Sequence, residues 1–318
     1  MAVYTHLGAE ELARLVANYD VGELVSAKGI AEGVSNSNWL LETNQARFIL
    51  TMYERRIDTD DLPFFLGLLD HLSAAGCPVP ATIHDREGAA WRMVDDKAVA
   101  LIEFLPGVSP TQPDRAQAYA VGRALAEMHL AARDFSGARK NDLAPEDTLA
   151  ILQTCGSDAL GRIDPALPAI LDDGARIASN WPQGLPTGII HSDLFPDNVL
   201  MLDSEVTGLI DFYFACTGAM AYDLAVTHAA WSFGEDGSRN DTTLGSALIL
   251  GYESLRPLSS EEFEALPLLA QGACLRFIAS RAQDWLDTPA DALVQRKDPM
   301  DFMRRLEFYR DRGQSAFA

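Results

Sequence analysis

A chain of 318 residues with 48% hydrophobic and 22% charged content can bury a full core and is longer than one compact unit needs, which predicts one two-lobed domain or two closely packed domains. Its 46 acidic residues against 25 basic ones give a formal charge of −21, which repels phosphodiester backbones and argues against nucleic acid as a partner. No window reaches the ~18 apolar residues of a membrane span, the opening MAVYTHLGAEELARL has no basic run before an apolar one, and Cys77, Cys155, Cys216 and Cys274 lack CxxC or metal spacing, so a cytoplasmic protein with reduced thiols is expected.

In chain order, Leu12, Leu15 and Val16 beside Glu10, Glu11 and Arg14 predict a helix over 8–18. The runs WLLET (39–43) and RFILTMYE (47–54), joined by Asn44-Gln45-Ala46, predict a hairpin. An amphipathic helix is expected at 61–75, with acid before it and Gly76 after it. Strands at 89–94 and 98–105 turn through Asp95-Asp96. Pro106, Gly107, Pro110 and Pro113 then punctuate the chain and mark a lobe boundary. Ala118, Val121, Leu125, Met128 and Ala132 predict a long helix over 114–133, followed by helices around 147–155 and 166–181. Short apolar runs at 188–191, 198–202 and 206–211 precede helical patterns at 222–232, 243–254, 260–285 and 299–311. The loop 233–242 and the tail after Gly313 are expected to be mobile.

The sharpest chemical signal is HSDLFPDNVL at 191–200, followed by LIDFY at 209–213. It supplies an Asp, an Asn and a second Asp, each beside a short strand. Phosphoryl transfer from ATP needs a carboxylate to take the proton of the attacking hydroxyl and oxygen ligands for Mg²⁺ on the phosphates. Asp193 fits the first role, and Asn198 with Asp211 the second. Taken singly, these fragments are ordinary turn residues; their order and spacing give them weight. The loop GIAEGVSNSNW at 29–39 offers N–H and side-chain donors from Ser35, Asn36, Ser37 and Asn38 to phosphates, although a Gly-x-x-x-Gly loop also serves as a plain turn.

H-x-D-x-x-x-x-N with a downstream Asp resembles the catalytic loop and metal-binding Asp of the protein-kinase-like superfamily, in the form used by aminoglycoside phosphotransferases and choline kinases. The resemblance implies an α+β, bilobal fold. Residues 1–105 would form an antiparallel-sheet nucleotide lobe with a helix, and 106–318 a larger, mainly helical catalytic and substrate lobe. It gives His191 a bracing role and Asp223, in AYDLAVTH, the place of a buried acid accepting N–H bonds from the loop. Read from the residues alone, Asp223 fits an N-cap for a helix at 224–232 as well. LIEFLPG at 101–107 looks like the family's hinge, where the carbonyl of Glu103 and N–H of Leu105 pair with adenine above Leu200 and Ile210. Asp-Phe-Tyr at 211–213 departs from the protein kinases' Asp-Phe-Gly, and the short span to Asp223 leaves no peptide-docking segment, so a small-molecule acceptor is expected. Thr51 stands where the family places a phosphate-binding Lys, and only Asp60 and Asp61 lie near the place of its Glu partner. Lys28 and Arg47 are candidate replacements for that Lys.

GVSNSNWLLET, RFILTMYERR, LPFFLGLLDHLSAAGCPVP, IIHSDLFPDNVL and IDFYFACTGAMAYDLA together resemble the homoserine kinases of this superfamily, through nearly the whole chain. That resemblance implies transfer of the ATP γ-phosphate to the side-chain hydroxyl of L-homoserine, a step of threonine biosynthesis. The competing expectations are an aminoglycoside, choline or methylthioribose acceptor, and a non-catalytic nucleotide-binding module, which Thr51 favours. Homoserine is a zwitterion, so a cation should meet its carboxylate. Arg276 and Arg281, with Trp285, are candidates on a helix over 272–285, against the alternative of surface ion pairs. His228 and Trp231 line the cleft or the core, and His129 reads as core.

Overall fold

The computed structural model describes residues 7–30, 36–54, 58–288 and 296–317. Strands β1 (Leu24–Ile30), β2 (Asn36–Thr43), β3 (Arg47–Tyr53), β4 (Thr82–Ile83), β5 (Arg92–Val94) and β6 (Lys97–Glu103) form one antiparallel sheet in the order β1-β2-β3-β6-β4, with β5 also on β6. Period-two alternation decides its two faces. Trp39, Leu41, Phe48, Leu50, Met52, Val99 and Leu101 point to one side, where Leu12, Leu15 and Val16 of helix α1 (Ala9–Val16) cover them. Tyr53, Ala98 and Ala100 point to the other, against Leu62 and Leu66 of α2 (Leu62–Ala74). Each fully buried Leu in such a face stabilises the fold by about 2 kcal/mol.

The rest of the chain is mainly helical: α3 (Arg115–Ala131), α4 (Pro145–Cys155), α5 (Ser157–Ile163), α6 (Ile170–Ser179), α7 (Met220–Trp231), α8 (Thr242–Glu253), α9 (Ser260–Asp287) and α10 (Met300–Arg312). Two small ribbons interrupt them. Strand β7 (Thr187–Ile190) pairs with β10 (Cys216–Ala219), and β8 (Val199–Leu202) pairs with β9 (Glu205–Leu209). Capping boxes start α3 at Asp114/Gln117 and α9 at Ser259/Glu262, each satisfying N–H groups that the first turn leaves open. Helices α3 and α8 cross closely, because a Cβ on Gly122 would lie 2.0 Å from the Leu248 carbonyl and one on Gly251 the same distance from that of Tyr119.

The link between sheet and helices is fixed at Gly107. Its φ is +142, and a Cβ there would meet Thr207 Oγ1 at 2.5 Å and Leu200 Cβ at 3.0 Å, so the 104–107 segment lies directly on the β8–β9 ribbon. Val108 and Met201 exchange two backbone hydrogen bonds of 3.0 Å beside it.

Two expectations about mobility are corrected. The tail is docked: residues 313–317 form a 3₁₀ turn, Phe317 packs on His228 and Tyr309, and Gln314 donates to the carbonyls of Phe263 and Glu264. The 233–242 loop is tied down by Arg305 Nη2 donating to the Gly234 carbonyl at 3.0 Å and by Arg304 Nε donating to that of Asp236 at 2.6 Å. Both contacts come from α10, far away in sequence, which is why a local reading of polar composition missed them.

Candidate active site

Strand β7 delivers His191, Ser192 and Asp193 at its end. Ser192 has φ +69, a left-handed backbone that costs about 1–3 kcal/mol and persists only where its surroundings hold it. Asp223 supplies that hold. Its Oδ2 accepts from His191 N at 2.7 Å and its Oδ1 from Ser192 N at 2.6 Å, while His129 Nε2 lies 2.9 Å from Oδ2. Tyr252 OH is 2.8 Å from His129 Nδ1. Helix α7 begins at Met220 with Ala219 as its N-cap, so Asp223 lies inside the helix and does not cap it. Burial alone would raise the Asp223 carboxyl, but the hydrogen bond and charge of His129, with His191, hold it below the usual carboxylate range. Trp231 Nε1 donates to the Leu194 carbonyl at 3.0 Å from the far end of α7.

The β8–β9 ribbon joins the second half of the motif to the first. Ile210 N donates to the Asn198 carbonyl at 3.0 Å, and His191 Nε2 meets the Ile210 carbonyl at the same distance. His191 Nδ1 accepts from Asp193 N at 3.3 Å, so Nε2 carries the ring proton. Burial lowers the pKa of His191 and keeps it neutral, and with both nitrogens engaged it braces the loop. Asn198 Nδ2 donates to the Asp193 carbonyl at 2.8 Å and to its Oδ2 at 3.2 Å, which turns the amide oxygen away from Asp193. Asp211 sits in a left-handed backbone at φ +64.

Three carboxylates face one another here. Asp193 is pushed up by burial against the opposing charge of Arg276. The Asp211 carboxyl is exposed, yet crowding by protein together with Asp193 and Asp197 pushes it up to about 7. Such an array carries more negative charge than Arg276 offsets and offers hard oxygen donors, the chemistry that suits a small divalent cation. Among the described residues no cluster of three or more His, Cys, Asp or Glu could hold a metal unaided, so Asn198 and Asp211 would need oxygens from a ligand to complete a shell.

On the sheet side, Gly208 lets Leu105 Cδ1 and Leu200 Cδ1 approach to 3.0 and 3.1 Å of where its Cβ would be, an apolar surface continuous with half-buried Ile210. Glu103 ends β6, and its N–H donates to the Ala81 carbonyl. Ser35 lies outside the described residues. Asn36, Ser37 and Asn38 are not loop residues as expected: β2 already begins at Asn36. Ser37 Oγ donates to Glu54 Oε1 at 2.7 Å, and Asn38 Oδ1 accepts from Thr51 Oγ1 at 2.9 Å. Arg47 stacks on Phe104 at 4.2 Å at the far end of β3, and Lys28 lies exposed opposite Leu40. Asp61 pairs with Arg139 Nε at 2.6 Å. Lys97, which sequence reading passed over, pairs with Glu54, but it shares the face of Val99 and Leu101 and points away from Thr51.

The expected substrate residues are mostly corrected. Arg276 does reach the site, but its Nη1 donates to Ser192 Oγ at 2.8 Å and to the Ser192 carbonyl, Nη2 lies 3.6 Å from Asp193 Oδ1, and the side chain is buried. It is committed to the loop. Arg281 donates to Asp301 Oδ2 and the Asp298 carbonyl, both at 2.8 Å, and stacks on Phe302. Trp285 stacks under Arg296. His228 is core: Nδ1 lies 2.6 Å from Tyr309 OH, Phe317 covers the ring, and burial pushes its pKa down to about 3. Trp231 is buried too. Sequence reading passed over a further cation, Lys297, whose charge acts on Asp193. Phe195, two residues after Asp193, packs on Phe277 and Phe302, which brings the start of α10 close to the 191–198 loop. Lys297 is exposed there, and its charge opposes the burial that raises Asp193.

Residues 26–258 match the model of a phosphotransferase enzyme family. The chain is 49% identical to a homoserine kinase of a Caulobacter species, covering 100% of this chain and 99% of that protein. It is 46% identical to a homoserine kinase of Xanthobacter autotrophicus, over 97% and 96% of the two chains. Among solved structures, spectinomycin phosphotransferase in complex with ADP and spectinomycin superposes with a TM-score of 0.74 at 14% identity, covering 98% of this chain and 100% of that one. An amicoumacin kinase in complex with AMP-PNP and Ca²⁺ gives 0.73 at 15%, over 97% and 94%. At such low identity these structural likenesses establish the fold, a protein-kinase-like arrangement of sheet lobe and helical lobe.

Proposed function

The chain belongs to the phosphotransferase enzyme family and, within it, to the homoserine kinases, and from that premise we propose which of its residues carry the reaction. The enzyme transfers the γ-phosphate of ATP to the side-chain hydroxyl of L-homoserine, giving ADP and O-phospho-L-homoserine. In our reading the hydroxyl oxygen attacks the γ-phosphorus, its proton passes to the Asp193 carboxylate, and the bond to the β-phosphate oxygen breaks. Burial raises Asp193 toward the range in which a carboxylate is a useful base, and Arg276 and Asn198 fix its orientation. Asn198 and Asp211 would hold Mg²⁺, which neutralises charge on the phosphates when bound. The hinge backbone at Glu103 and Leu105 would pair with adenine above Leu200 and Ile210.

The carrying observation is that Asn198 hydrogen-bonds Asp193 and that hydrogen bonds of Ile210 with Asn198 and His191 tie the residue before Asp211 to the same loop. For the acceptor's carboxylate we assign Lys297 in place of Arg276 and Arg281, since among the described residues it alone of the three is neither buried nor held by an acidic side chain.

The test is ADP release with L-homoserine, choline, methylthioribose and kanamycin, for the wild type and Asp193→Asn. ADP should be released with homoserine, and the variant should lose about 10²-fold or more in kcat while keeping its ADP affinity. A wild-type kcat in the variant would remove Asp193 from the role of base.

A further inference from the structure

Asp193 offers two carboxylate oxygens, and their surroundings differ. Oδ2 accepts from Asn198 Nδ2 at 3.2 Å, whereas Oδ1 has Arg276 Nη2 at 3.6 Å, beyond hydrogen-bond reach. The guanidinium is therefore a fixed charge beside Oδ1 and not a donor to it. A direct bond would occupy a lone pair on the oxygen and make it a weaker base, and a more distant cation would leave the carboxylate unoriented. Something must hold Arg276 at that separation.

Ser192 holds one edge of the guanidinium, since Nη1 donates to its Oγ at 2.8 Å and to its carbonyl. Two aromatic rings hold the rest. The ring of Phe277 lies 4.8 Å from Cζ and is itself buried, with the rings of Phe195 and Phe302 each 4.8 Å from it. The ring of Phe214 lies 4.9 Å from Cζ and comes from a different segment, the 3₁₀ turn Phe212–Phe214 that follows Asp211. Phe214 is 42% exposed, while the Arg276 side chain that it touches is only 3% exposed. An aromatic face is negative and attracts a guanidinium without consuming its N–H donors, so it fixes the plane and leaves the donors to oxygen acceptors. An aliphatic side chain can cover the guanidinium but does not attract it. We propose that Phe214 is a positioning residue: with Phe277 it holds Arg276 at a distance from which the charge orients Asp193 and leaves Oδ1 free for the proton of the acceptor hydroxyl. This inference rests on the reading of Asp193 as the base.

The test is steady-state kinetics with ATP and L-homoserine for Phe214→Leu, Phe214→Tyr, Asp193→Asn and Asp193→Asn combined with Phe214→Leu, with thermal unfolding of each. Phe214→Leu keeps an apolar cover and loses the ring face, so kcat should fall roughly 3–10-fold while KM for ATP and for homoserine stay in place. Phe214→Tyr presents the same ring face and should keep the wild-type kcat. In the Asp193→Asn background, Phe214→Leu should cost nothing further, because the group being positioned is gone. Phe214→Met supplies a second aliphatic replacement, with the same expected loss, should the Leu variant fold poorly. A wild-type kcat in the aliphatic variants, with Asp193→Asn having lost about 10²-fold, would overturn the positioning role and leave the base standing. A raised KM for homoserine at unchanged kcat would overturn it as well, by making Phe214 a substrate contact. A wild-type kcat in Asp193→Asn would remove the base, and this inference with it.

Discussion

Two sets of carboxylates flank the same loop and titrate in opposite directions. Asp223, behind the loop, is fully buried, yet its carboxyl lies below the usual range because two backbone N–H groups and His129 point at it. Asp193 and Asp211, in front of the loop, are pushed up: at Asp193 burial outweighs the charge of Arg276, and at Asp211 crowding by protein is joined by the charges of Asp193 and Asp197. Burial alone therefore does not decide a pKa; the number of donors aimed at the charged form does. The satisfied set holds the loop, and the unsatisfied set is the one to which we assign the proton and the cation of the reaction.

The contrast breaks most directly at Asp223. Replacing it by Asn removes the charge and sets an NH₂ group against one of the donors it now accepts, leaving a buried N–H without an acceptor. Asp223→Asn should lose about 3 kcal/mol of stability in urea denaturation. An unfolding midpoint equal to the wild type would show that the loop holds its strained turn without this acid.

The cations sharpen the same comparison. Arg276 and Arg281 are committed to protein acceptors, whereas Lys297 is exposed and its charge acts on Asp193. Lys297→Met should raise KM for homoserine about tenfold, as a charged contact worth about 1.4 kcal/mol is lost, with KM for ATP unmoved. Arg281→Met should leave KM for homoserine in place. The opposite pattern would return the carboxylate site to α9.

The smallest effect concerns Asp211 in the absence of Mg²⁺. With a native pKa near 7, well above that of the unfolded chain, the unfolded state gives up this proton first as pH rises. Stability is therefore lost between about pH 4 and 7, and the full penalty stands above pH 7. Asp211→Asn should stabilise the metal-free protein, more at pH 8 than at pH 5, by about 1 kcal/mol or less because solvent screens an exposed group. Thermal unfolding at the two pH values gives the answer, and equal shifts would mean that Asp211 is not under strain from its neighbours.

Much of this architecture could be read before any coordinates. Alternation at 39–54 placed the hairpin, the three- and four-residue steps of 114–133 placed α3, and HSDLFPDN held the Asp193 and Asn198 that hydrogen-bond each other. Strand β10 escaped notice because Cys-Thr-Gly-Ala has no strand signature of its own and is extended only by pairing with β7. Arg276 was misassigned for a related reason. An Arg among apolar helix neighbours looks the same in sequence whether it faces substrate or a serine carbonyl 84 residues earlier.

What the sequence determined by itself is what depends on near neighbours: hydrophobic period, turn residues, helix caps, and a motif whose spacing sets groups beside short strands. What only the tertiary structure decided is which distant partner each polar group meets. Tyr53 with Tyr213, Asp223 with His129, Arg276 with Ser192 and the docked Phe317 all join segments far apart in the chain. Those pairings follow from how helices and sheet pack, and the pattern of one segment carries no record of the face that another will present to it.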